Sequence, residues 1–63
     1  METQLAEFVE VTLKRPVEAE GVLMPAGTRG VIMGAYASGE AYEVEFEHPV
    51  HVVLTLEGKD LAA

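Results

Sequence analysis

The chain alternates most regularly from Tyr42 to Glu47, where Tyr42, Val44 and Phe46 fall on one face of an extended strand and Glu43, Glu45 and Glu47 on the other. A slip of one residue would turn three carboxylates inward, so the alternation fixes the orientation of this strand as well as its type. The preceding stretch, Gly30 to Ala37, is apolar on both faces, with Val31, Met33 and Ala35 on one and Ile32 and Tyr36 on the other. Periodicity alone does not choose its inner face. Gly34 predicts a bulge that would let Ile32 and Ala35 both point inward. Ser38-Gly39 then closes a hairpin, with Gly39 as its left-handed residue.

The same period continues on either side. Phe8 to Lys14 predicts a first strand with Val9, Val11 and Leu13 on one face. Pro16 interrupts it, and the thirteen residues Arg15 to Gly27 read as a long loop anchored by the apolar patch Val22-Leu23-Met24. Gly27 and Gly30 bracket Thr28-Arg29, a spacing that predicts a tight corner with positive φ. His48-Pro49 makes the next break, and Val50 to Leu56 predicts a fourth strand with Val50, Val52, Leu54 and Leu56 on one face. The tail from Glu57 has room for one turn and a short last strand. Residues 1–6 carry no strand pattern and read as a frayed lead-in, with Leu5 available to cover an open end. The predicted core is Val11, Leu13, Ile32, Tyr42, Val44, Phe46, Val52 and Leu54.

Nothing in the chain shows a helical apolar period over three turns. The sequence therefore predicts a single all-β domain over 1–63, a small SH3-like five-stranded barrel, which would remove the open edges of a flat sheet. An open antiparallel meander that dimerises is the alternative.

Charge narrows the partners. Four basic side chains stand against eleven acidic ones, a formal net charge of −7. Such a surface disfavours nucleic acid and anionic membrane, whose binding needs clustered Lys and Arg. The first seven residues carry acids where a signal peptide needs bases, and no run approaches the ~18 apolar residues of a membrane span. The chain has no cysteine, so a thiolate zinc site is out and a reducing compartment fits. The expectation is a soluble, cytoplasmic protein.

Candidate chemistry is sparse. Glu47, His48 and His51 have the side chains for a metal, but in an extended strand positions three apart face opposite ways, so both imidazoles would reach one ion only if Pro49 bends the chain sharply. The row Glu43, Glu45 and Glu47 has no burial asymmetry to drive carboxyl pKa values apart, as acid–base catalysis requires. Ser38 lacks the setting of a nucleophile elbow, and the glycines open a strand instead of a helix, so no phosphate cradle forms. No catalytic residue, metal or cofactor is expected. Phe8 and Tyr36 are too few for an aromatic cage once Tyr42 and Phe46 belong to the core.

The order Pro25-Ala26-Gly27, Gly30, Ile32, the Ser38-Gly39 turn, Tyr42-Glu43-Val44-Glu45-Phe46 and Asp60-Leu61 resembles a family of short uncharacterised bacterial proteins. The same pattern is similar to the SH3-like barrels of the nitrile hydratase β subunit and of a small photosystem I protein, and more distantly to the KOW motifs of translation factors. The resemblance spans about residues 8 to 62 and implies a fold, with no chemistry to carry over. Thr28 stands where that pattern commonly has an acid, and the basic RNA-binding loops of KOW barrels are missing.

The functional expectation is a non-catalytic interaction module that binds a protein partner or itself. Glu40, Glu43, Glu45 and Glu47 are the candidate partner-binding residues, because a row of carboxylates attracts a basic partner. One form of this is an acidic neutralising protein, antitoxin-like or immunity-like. Met33, Tyr36 and Val53 are the candidate homo-oligomer surface, being apolar residues on outward positions. A small metal- or carboxylate-dependent enzyme is the alternative from another class.

Overall fold

The computed structural model describes residues 8–36 and 39–63. The expectations for residues 1–6, for Leu5, and for Ala37 and Ser38 in the hairpin turn lie outside the described residues. Seven strands follow in order: β1 (Glu10–Leu13), β2 (Val17–Ala19), β3 (Val22–Met24), β4 (Arg29–Tyr36), β5 (Ala41–Phe46), β6 (Val52–Glu57) and β7 (Leu61–Ala62), the last preceded by a 3-10 turn at Gly58–Asp60. Five of them form one antiparallel sheet in the order β6-β5-β4-β1-β7, and β2 with β3 forms a separate hairpin. The protein is thus all-β, with no α-helix among the described residues. β6 and β7 are the two outer strands and do not pair with each other, so the ladder is not closed into the ring expected of a barrel.

The alternation in β5 works as predicted: Tyr42, Val44 and Phe46 are buried. Opposite them, Val44 pairs with Ile32 and Phe46 with Gly30. Val11, Leu13 and Leu61 complete the inner face of the sheet, and two residues from the β2–β3 hairpin, Ala19 and Met24, join the same core. Burying a Phe, Met or Ile side chain in full contributes about 1.5–3 kcal/mol, and Phe46, Met24 and Ile32 are all fully buried. Val52 and Leu54, expected in the core, are only partly buried. The cause is position, since β6 is an outer strand with β5 as its sole neighbour.

Two further expectations change. The stretch Arg15 to Gly27 is not a plain loop: it folds as the β2–β3 hairpin, with Val17 facing Met24 and Ala19 facing Val22. Its turn takes Glu20 and Gly21 through φ of 55° and 76°, and a glutamate gives no sequence signal for that conformation. Met24 is the anchor of the predicted patch, while Leu23 points to solvent. Gly27 has the expected positive φ of 92°, but Gly30 does not. Gly30 is needed for space instead, because a Cβ there would sit 2.7 Å from Val44 Cγ1 and 2.8 Å from Phe46 Cε1. The bulge lies between Ile32 and Gly34 as expected: Ile32 pairs with inward Val44 and Ala35 with inward Tyr42, so both take the inner register, and Ala35 stays exposed near the end of the strand.

Asp60 is the one buried charged residue among those described. Its Oδ1 accepts from Arg15 Nη2 at 2.6 Å, and its carbonyl accepts from the Lys14 amide at 2.8 Å. Both bonds tie the 3-10 turn to the end of β1 and so set β7 beside it.

Candidate protein-docking face

The outer face of the sheet follows from the register. Glu45 on β5 lies between Val31 on β4 and Val53 on β6, and Glu43 lies between Gly34 and Thr55. Same-face residues on a strand are about 7 Å apart, so Glu43, Glu45 and Glu47 form one line of carboxylates along the middle of this face. Glu40 does not continue the line. It sits in the β4–β5 turn, where it flanks a shallow depression with Glu57 and Lys59.

The apolar candidates fall on the same face. Met33 points outward next to Ile32, the bulge places Tyr36 on the outward register opposite Ala41, and Val53 stands directly beside Glu45. All three are exposed, Tyr36 and Val53 by 49% each. Residues that the sequence assigned to two surfaces thus share one. Tyr36 is also coupled to the acids: the charge of Glu43 and its hydrogen bond with the phenol hold the Tyr36 pKa above its ordinary value.

At one end of this face the chain leaves β5, passes a cis His48-Pro49 peptide and returns at His51. His51 Nε2 lies 2.8 Å from Glu45 Oε2. The hydrogen bond to Glu45, followed by the charge of Glu47, raises the His51 pKa above its ordinary value. Ligand atoms of Glu45, Glu47 and His51 all lie within 4.8 Å of one another, a donor set that zinc accepts. The sequence expectation considered Glu47 with both histidines; the return of the chain instead unites His51 with Glu45 and Glu47. His48 is not part of this group, although it lines, with Glu45 and Glu47, the wall of an open cleft.

That cleft, of about 590 Å³, occupies the same end of the outer face. Val31 and Gly30 form part of its lining, with Pro25 and Pro49 from the flanking loops and carboxylates from Glu10, Glu45 and Glu47. The Pro25 wall is pinned by Thr28, whose amide and hydroxyl both donate to the Pro25 carbonyl, at 3.1 and 2.7 Å. A carboxylate at position 28 has no proton to give in this way. Sequence reasoning missed the cleft because its walls come from two loops far apart in the chain. The paired prolines beside apolar strands were the available signal.

No protein-family profile, no curated protein and no solved structure matches this chain. No helix among the described residues is long and apolar enough to cross a membrane.

Proposed function

We propose that this protein is a non-catalytic interaction module whose outer sheet face docks a basic protein partner. The observation that carries the reading is the convergence of Glu43, Glu45 and Glu47 with exposed Met33, Tyr36 and Val53 on that face. Apolar side chains supply buried area and the carboxylates supply steering and selectivity against acidic proteins. A neutralising protein that covers a basic enzyme or toxin is one form such a partnership takes. A nucleic-acid partner is disfavoured by charge and by pairing, since Arg15, Arg29 and Lys59 each sit against a carboxylate. The one buried carboxylate among the described residues, Asp60, is engaged by Arg15 and serves the fold, which supports a role without catalysis.

The fold reading belongs to the same proposal. The strand order β6-β5-β4-β1-β7, a hairpin within the first long connection and a 3-10 turn before the last strand support an SH3-like arrangement. Self-assembly through Met33, Tyr36 and Val53 is the second reading, favoured by their exposure. A two-fold pairing on this face brings two lines of carboxylates into one seam, so we prefer a basic partner.

Partner capture followed by rate measurement tests the proposal. Glu43→Lys/Glu45→Lys slows association severalfold without unfolding the domain, and added salt slows the parent in the same way. Association rates indifferent to both changes assign the glutamates to solubility alone. Light scattering on the parent separates self-assembly: a 6.8 kDa particle at high micromolar concentration removes that reading.

A further inference from the structure

We infer that the cleft at the Pro25/Pro49 end of the docking face receives an arginine side chain of the partner; this rests on the basic-partner reading and specifies it. The lining divides into two chemistries. Pro25, Val31 and Pro49 offer an apolar floor and walls, while Glu10, Glu45 and Glu47 offer carboxylates. Three carboxylates face a single lining guanidinium, that of Arg29, and it leans toward Glu10 at 3.7 Å. Glu45 already holds His51 Nε2 at 2.8 Å, so the surplus negative charge lies chiefly at Glu47.

A long side chain with an apolar stem and a cationic head matches both parts, its methylenes against the prolines and valine and its head at the carboxylates. Arginine fits better than lysine, because its planar fork engages carboxylates through paired hydrogen bonds and is more weakly hydrated. A bare metal ion at Glu45, Glu47 and His51 would leave the apolar lining without a role. The volume also exceeds that of one ion and falls in the range of about 300–1,000 Å³ that takes small organic groups. Continuity supports the same occupant, since Glu45 and Glu47 belong both to the cleft and to the carboxylate line on the face.

Amide-resolved NMR titrations of the full chain with Nα-acetyl-arginine methylamide, its uncharged citrulline analogue and zinc chloride test the inference without any partner. The arginine compound shifts the amides of Thr28, Val31 and His48 saturably and binds about twofold to fivefold more tightly than the citrulline compound, the range expected of exposed ion pairs. Glu47→Gln, at an exposed position, removes that advantage, and Glu43→Gln, outside the cleft, retains it. Equal binding of the two compounds, or shifts confined to other residues, overturns the inference. So does stoichiometric zinc binding at the His51 ring in a protein whose spectrum the arginine compound does not move. If the partner's association still responds to Glu43→Lys/Glu45→Lys and salt, the cleft assignment falls alone and the docking face stands.

Discussion

Gly30→Ala adds a single methyl group at the most confined point of the sheet. The new Cβ would lie 2.7 Å from Val44 Cγ1 and 2.8 Å from Phe46 Cε1, both on side chains with no exposed surface. Neither neighbour is the free end of a flexible chain. Forcing an extra carbon into such a core commonly costs about 1–3 kcal/mol, whereas removing a glycine from a strand returns up to about 1 kcal/mol of backbone entropy. The clash wins, with a net loss of about 1–2 kcal/mol. For a 63-residue domain total stability is about 3–9 kcal/mol, and each kcal/mol moves the midpoint by about 4–8 °C, so the variant should melt about 5–15 °C lower. Gly34→Ala is the internal control. Nothing lies within 4 Å of a Cβ at that position and its φ is not positive, so it should melt at or slightly above the parent temperature. Circular dichroism melts of the three proteins decide the matter. A Gly30→Ala midpoint within 2 °C (roughly the scatter expected of a neutral surface change) refutes the account of why glycine stands there, as does an equal fall in Gly34→Ala.

Phe46→Ala removes a fully buried ring at a cost of about 3–5 kcal/mol, which should lower the melting midpoint by about 12 °C or more, and a sharp melt near the parent's would contradict the inward assignment of β5. Arg15→Ala leaves the largely buried Asp60 carboxylate without its cation and should lose about 1–2 kcal/mol in denaturant melts, with Asp60→Asn/Arg15→Ala recovering part of it. The His51 ring, followed by NMR, should titrate above the ordinary value of ~6.5, and Glu45→Gln should lower its pKa. Because its folded pKa is raised, the contribution of this pair is complete below the unfolded value and is lost as pH rises through the folded one. A His51 titration unchanged by Glu45→Gln removes the pair as its cause.

The parts of this fold that the sequence made legible are those where one face is apolar and the other charged. In β5, Glu43, Glu45 and Glu47 leave no choice about the orientation of Tyr42, Val44 and Phe46. The β2–β3 hairpin was harder because its turn places Glu20 at positive φ, a conformation set by the pairing of Val17 with Met24 and not by the turn residue itself. Met24, Ala19 and Leu61 were missed as core residues for a related reason: they sit on strands of two or three residues, too short to show a period. At the candidate site, the acidic line could be read residue by residue. Its meeting with Met33 and Tyr36 depends on one extra residue in β4, which reverses the outward set partway along the strand. The approach of His51 to Glu45 depends on how the chain returns after Pro49, a three-dimensional outcome that spacing does not encode.

The pairing of β1 with β7 rests on two residue pairs, Thr12 with Ala62 and Leu13 with Leu61, that join opposite ends of the chain. Contacts so distant in sequence carry the largest loop-closure cost and form after the local β4–β5–β6 meander. Opening them exposes Leu61 and separates Asp60 from Arg15 and Lys14, so side-chain burial and the Asp60 ties hold this closure more than its two-residue ladder does. When β7 lifts away, the free side of β1 is a template of the right register for Leu61 and Ala62 of any identical chain.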